Sequence, residues 1–297
     1  MRTMWTDLAM EGAGAPPGES LTGGVERTTV VIDSEEQARA LGRPMGRYVT
    51  LGCPQRMSVE LGTRRALSEA LGETINAMLP QGARTMLVTG LGNRSVTPDA
   101  LGPRTVERVL VTRHMAGCLP EDVEERMASV CAASPGVLGV TGVETAEVLR
   151  GIAAHVRPDA IIAVDALAAR SSRRIASTIQ VTDTGITPGS GVGNHQRALT
   201  RETMGVPVIA VGVPMVVSAW AIASDALLAM NGGEDVDEER LSACVERVVT
   251  GELGEMIVTP REVDALVARM AGVVAEGINL ALHPRLTRRE VAQLMAQ

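Results

Sequence analysis

The chain of 297 residues contains no phenylalanine and no lysine, so all 28 of its basic side chains are arginine. Trp5, Tyr48 and Trp220 are its only aromatic residues. Platforms that stack single-stranded bases need aromatic faces, and this scarcity argues against them. A net charge of -7 also lacks the basic surplus of a nucleic-acid binder. Cys53, Cys118, Cys131 and Cys244 are scattered without a C-x-x-C pair, which argues against a zinc knuckle or redox motif and fits a reducing compartment. There is no H-x-x-x-H, H-E-x-x-H or G-x-S-x-G, so local spacing supports neither a zinc site nor a serine-hydrolase elbow. No metal and no cofactor are expected. The start carries Asp7 and Glu11 and has no apolar core, unlike a signal peptide. Runs such as AIIAV and VPVIAVGVPMVV are too short, or too broken by Gly and Pro, to span a bilayer. These absences lead to the expectation of a cytoplasmic protein without membrane or direct nucleic-acid partners.

What is present is an ordinary apolar fraction, 45%, in a chain long enough for a sizeable core. Without Phe, that core must be packed with Val, Leu, Ile, Met and Ala. Residues 8–24, rich in small residues, Gly and Pro, read as a flexible lead. Strands are expected at 25–33, 46–52, 85–93, 157–165, 177–183 and 206–213, and helices at 58–79 and 217–230. Thr141 with Glu144, and Thr259 with Glu262, have capping-box spacing and predict helix starts there. The acidic stretch 231–240 reads as a solvated linker. Strands alternating with helices predict an α/β fold with a mostly parallel central sheet, occupying 25–297 as one domain. Ligands in such sheets bind beyond the carboxyl ends of the strands, which directs attention to the loops after 93, 165, 183 and 213.

Two acids stand out at those ends. Asp99 follows Thr97-Pro98 in what reads as a first helical turn, where free N–H groups should lower its pKa; simple stabilisation of the helix end is the other reading. Asp165 follows the apolar AIIAV, where an acid is buried and needs a partner or a raised pKa; capping a short DALAAR helix is the alternative. GLGN at 90–93 resembles a dinucleotide turn but lacks the third glycine. Asp183-Thr184-Gly185 copies the triplet of pepsin-like proteases, but those are all-β and use two. TPGSGVGNHQR (187–197) is Gly-rich; such loops present backbone N–H groups to anions or simply move. Asp183, Ser190, Asn194 and His195 are candidates to line the cleft around the two acids. Arg170, Arg173 and Arg174 either bind an acidic substrate or are solvated.

Together, GLGNRSVTPDALGP, LVTRHM, SPGVLGVTGVETAEVLRGI, DAIIAVDALAARS, TIQVTDTGITPGSGVGN, GVPVIAVGVP and IVTPREVDALVARMAGVVAEGINLALH resemble, in one colinear order from about 25 to 283, the germination proteases of endospore-forming bacteria, aspartic peptidase family A25. The resemblance implies an endopeptidase that initiates degradation of small acid-soluble spore proteins, located in the forespore and spore core. It implies a zymogen that removes its own leader, a homotetramer, and a three-layer α/β/α, phosphorylase/hydrolase-like fold related to hydrogenase maturation peptidases. The family's catalytic aspartates fall on Asp99 and Asp165. Its R-T-D-L-A-V-E processing sequence falls on Trp5 to Glu11, which places the cut between Asp7 and Leu8 and makes 1–7 the propeptide. Departures are Trp5 for Arg, Arg94-Ser95 for Trp-Asn, Thr187 for His, and a shortened 231–240. A metal-assisted peptidase of the maturation type, or a non-catalytic binding protein of the same fold, are the alternatives.

Overall fold

A computed structural model describes residues 6–12, 15–53, 60–189, 197–230 and 238–296. Among the described residues nine strands form one sheet: β1 (Glu19–Ser20), β2 (Glu26–Ile32), β3 (Gly46–Gly52), β4 (Thr85–Gly90), β5 (Ser129–Ala133), β6 (Ala160–Ala169), β7 (Thr178–Thr182), β8 (Val208–Ser218) and β9 (Ile257–Val258). Their order is β1-β2-β3-β7-β8-β6-β4-β5, with β9 added to the end of β8. The half β8-β6-β4-β5 is parallel; the half β1-β2-β3-β7 is antiparallel and joins β8 antiparallel.

The period-two alternation of the central strands builds two cores. Met86, Val88, Ala160, Ile162 and Val164 face one side, while Leu87, Ile161 and Ala163 face the other. The first side is covered by helices Leu61–Met78, Leu101–Val106 and Val263–Leu282, the second by Thr145–Val156 and Arg201–Met204. The result is an α/β fold of three layers. Aliphatic residues fill the space that rings would occupy elsewhere: in the larger core every buried member is Leu, Val, Ile, Met, Ala or Cys.

Helix Val263–Leu282 is long and apolar enough to cross a membrane by length and composition, contrary to the reading of the apolar runs. It is a core helix, with Leu266, Val267, Met270, Val274 and Ile278 buried against the sheet and helix Leu61–Met78.

Several boundaries differ from expectation for identifiable reasons. Asp165 does not begin a helix: β6 continues to Ala169, because its pairing with β8 runs on through Asp165↔Gly212 to Ala169↔Val217. Both predicted capping boxes are absent. Thr141 ends a short helix, Leu138–Thr141, at a left-handed Gly142, and the next helix begins only at Thr145 without a side-chain cap. The Thr259 hydroxyl donates to the Met215 carbonyl, and the last long helix begins at Val263. In each case a tertiary or local partner takes the hydroxyl that the cap required. The described part of 8–24 is not a loose lead: Leu8 is fully buried in the larger core, and β1 pairs with β2. Residues 231–237 of the predicted linker lie outside the described residues, and 238–240 already belong to helix Glu238–Val248.

Candidate active site

β4 lies between β5 and β6, the two strands that follow it in the chain. Successive connections therefore leave to opposite sides, which opens a crevice beyond the carboxyl end of β4. The last parallel pair across this line is Gly90↔Val164, and the Leu91 N–H still donates to the Val164 carbonyl at 2.8 Å. Asp165 is the next residue of β6. There β6 runs on beside β8 after β4 has turned away, so the position of Asp165 follows from the sheet itself.

Asp99 comes from the turn after β4. The chain passes Leu91, makes a sharp bend at Gly92, and closes a single 3-10 turn, Thr97–Asp99, before helix Leu101–Val106. Gly92 has φ +102°, and a Cβ there would lie 2.1 Å from the Asp99 carbonyl oxygen and 2.8 Å from its Oδ1. Only glycine allows this approach. The Asn93 N–H donates to Asp99 Oδ2 at 2.6 Å and fixes the carboxyl.

Asp99 and Asp165 line one cavity of about 390 Å³ with Leu91, Gly92, Pro98 and Leu167. Asp165 is 5% exposed. Burial pushes its carboxyl well above the usual range, and the charge of Asp99 adds to this; the Ala166 N–H at 2.9 Å opposes it, and Asp7 raises it further. Asp99 is half-buried and also raised, because burial outweighs the bond from Asn93. The expectation that a helix start would make Asp99 more acidic is thus corrected. A three-residue turn offers few free N–H groups, and that of Asp99 itself donates to the Val96 carbonyl. The order of the pair is nevertheless clear: Asp165 resists ionisation more strongly, and two such neighbours readily hold one proton between them. Among the described residues no group of three or more His, Cys, Asp or Glu side chains is arranged to hold a metal.

A second cavity, of about 510 Å³, adjoins the first, and Leu167 lines both. Thr6 and Asp7 form part of its wall. Asp7 docks on β6: its N–H donates to the Ala168 carbonyl at 2.9 Å, and its Oδ2 accepts from the Ala168 N–H at 2.8 Å. The Asp7 carbonyl accepts from Arg43 Nη1 at 3.0 Å and from Gln180 Nε2 at 2.8 Å. Gln180 Oε1 accepts from the Ala9 N–H at 2.7 Å. The Glu11 carboxylate accepts from the Arg170 and Ser171 N–H groups at 2.8 and 3.1 Å. In this loop, then, backbone amides receive an acid.

Asp183 is not in the cleft. It is exposed at the sheet end, where its Oδ1 accepts from the Arg47 N–H at 2.8 Å. β7 ends at Thr182, which leaves Asp183 to close the β3–β7 corner. Ser190, Asn194 and His195 lie outside the described residues. Arg94 is exposed and paired with Glu107, and Thr187 lines the second cavity. Arg43 and Gln180 were missed in the sequence. The available signal was Gln180, a large amide inside the otherwise β-branched strand TIQVT; Arg43 lies in no motif.

An α/β sheet with two interacting carboxyls at a strand-end crevice has the form of a hydrolase site. The family model "Peptidase_A25: Germination protease" matches residues 11–241 and 226–295. Proteins named germination protease match nearly end to end. That of Caldanaerobacter subterraneus subsp. tengcongensis is 39% identical, over 98% of this chain and 97% of its own. That of Clostridium perfringens (strain ATCC 13124) is 38% identical, over 91% and 88%, and that of Priestia megaterium 37%, over 93% and 91%. The chain belongs to the germination protease family, and it is a protease. The solved [NiFe] hydrogenase maturation protease HycI of Thermococcus kodakarensis KOD1 matches 69% of this chain and 98% of its own, at 17% identity and a TM-score of 0.34, a likeness too distant to bear on the site.

Proposed function

We propose that this protein is an aspartic endopeptidase that begins the degradation of small acid-soluble spore proteins at germination, working in the spore core as a homotetramer. It is made as a zymogen and cuts its own Asp7–Leu8 bond. The observation that carries this reading is the placement of Asp99 and Asp165 in one cavity, both raised by burial and Asp165 further by the charge of Asp99, in a chain of the germination protease family.

Asp99 holds the negative charge, since its Oδ2 accepts from the Asn93 N–H and it is the less buried of the two. It takes a proton from water as the water oxygen attacks the peptide carbonyl carbon. Asp165, buried and protonated, polarises the carbonyl and gives its proton to the departing amine nitrogen as the C–N bond breaks. The products are a new carboxyl and a new amine. Asp99 then carries the proton and Asp165 the charge, and transfer within the pair restores the start.

The test is incubation of the protein with a small acid-soluble spore protein, followed by N-terminal sequencing of enzyme and products. The reading expects loss of residues 1–7 and discrete internal cuts in the substrate, both insensitive to strong chelators. Cleavage abolished by chelation would favour a metal-assisted peptidase. An intact substrate would favour a binding protein.

A further inference from the structure

Six hydrogen bonds, each engaging backbone on at least one side, hold the chain around the Asp7–Leu8 bond. Asp7 hydrogen-bonds to Ala168 through its N–H and its carboxylate, as an added peptide would at a strand edge. Leu8 is fully buried. Gln180 bridges the bond: its amide donates to the Asp7 carbonyl and accepts from the Ala9 N–H. Arg43 donates through Nη1 to the Asp7 carbonyl and through Nη2 to the Thr6 carbonyl, the latter at 2.6 Å. One carbonyl oxygen thus faces a fixed guanidinium and a fixed amide N–H together.

Both donors are held rigidly. Arg43 follows helix Glu35–Leu41, which ends at a left-handed Gly42 (φ 63°), and the Arg43 N–H donates to the Ala38 carbonyl at 3.0 Å. This C-terminal end favours a cation. Gln180 is buried in β7 and pairs with Gly212 of β8, which in turn pairs with Asp165 of β6. Residues paired in register share a face of the sheet, so Gln180 and Asp165 project to the same side, two strand spacings or about 10 Å apart. Between them Gly212 has no side chain, and a Cβ there would lie 2.4 Å from Leu167 Cδ1. The glycine makes room for the Leu167 side chain, which packs over the strand between amide and acid.

We propose that Arg43 and Gln180 are the carbonyl-binding pair of this protease: they hold the oxygen of the residue preceding the cleaved bond, in the chain's own leader and then in substrate peptides. This rests on the reading that Asp7–Leu8 is the bond cut. As the attacked carbon becomes tetrahedral, its oxygen gains negative charge. Donors already aimed at that oxygen stabilise the change without reorganising. Because Gln180 also binds the Ala9 N–H, the pair sets the register of the bond through backbone alone, whatever the side chains.

The experiment is the first-order rate at which the full chain loses residues 1–7, followed by intact mass for wild type, Arg43→Ala, Arg43→Lys, Gln180→Glu and Gln180→Met. Removing one such donor is expected to slow the step about 10²- to 10³-fold. Arg43→Lys should keep part of the rate, and free guanidinium should restore part of that lost by Arg43→Ala. Gln180→Glu keeps the shape and the acceptor for Ala9 but places an anion against the oxygen, so it should be slower than Gln180→Met. A purely structural role would give the reverse order for Gln180 and no rescue by guanidinium. Thermal transitions of Arg43→Lys and Gln180→Glu show whether the fold persists, and a slowed rate in folded protein supports the pair. If wild type is cut at Asp7–Leu8 and the variants match its rate, the carbonyl-binding pair is wrong while the reading of the bond stands. If wild type is cut elsewhere, the reading of the bond falls and the pair with it.

Discussion

The two halves of the sheet differ in what they contribute. The parallel half, β8-β6-β4-β5, supplies the two acids, Asp165 from within β6 and Asp99 from the turn after β4. The antiparallel half, β1-β2-β3-β7, holds the chain that borders the adjoining cavity: Gln180 stands on β7, and Arg43 just before β3. They meet across one residue row, Gln180↔Gly212↔Asp165. On the proposed mechanism, charge chemistry and peptide register fall to separate structural units. Parallel strand ends leave an acid at a crevice, whereas an antiparallel strand presents a side chain sideways to backbone lying over it. The leader joins the two, since Asp7 binds Ala168 on one side and Gln180 on the other.

The sharpest way to break this comparison is to remove the acids alone. Asp99→Asn and Asp165→Asn should each reduce cleavage by about 10²- to 10⁴-fold with the fold retained, read as product formed per unit time alongside a thermal melt. Near-normal rates in either variant would move the chemistry out of the parallel half. Next comes the bend that aims Asp99. Gly92→Ala places a Cβ 2.1 Å from the Asp99 carbonyl oxygen at positive φ, and should cost about 1–3 kcal/mol in denaturant unfolding as well as activity.

A gentler probe uses pH. The Asp165 carboxyl is raised above its unfolded value, so ionising it opposes folding. That destabilisation sets in as pH climbs above the ordinary carboxylate range and is complete above the raised folded pKa. Asp165→Asn should therefore melt higher than wild type at neutral pH, and the advantage should vanish as pH falls toward that range. The smallest effect belongs to the outer face of the antiparallel half. Glu73→Gln, which removes the exposed partner of Arg27 at 3.6 Å, should change stability by less than about 1 kcal/mol and leave self-cleavage unaltered.

Much of this was legible in the residues. GRYVTLG is β3 from end to end, and the apolar stripe of 263–278 faces the core as its spacing required. Asp99 and Asp165 stand out as acids following apolar runs, and both line one cavity, although Asp165 lies within β6. What failed was what depends on distant partners. β6 runs past Asp165 because β8 is there to pair with it. Thr259 caps nothing because Met215 takes its hydroxyl. Asp183, in a suggestive triplet, serves a corner amide. Arg43 and Gln180 are 137 positions apart, and no local pattern relates them; only the return of β7 beside β3 brings them to one carbonyl.

The central claim is that Asp99 and Asp165 share one proton. The most direct measurement is a carboxyl-carbon NMR titration of Asp165 in wild type and in Asp99→Asn. The account predicts that Asp165 titrates well above the usual carboxylate range in wild type. It predicts a downward shift when the neighbouring charge is removed, with part of the elevation kept because burial is the larger cause. An Asp165 that titrates in the ordinary range, or one indifferent to Asp99→Asn, would contradict it.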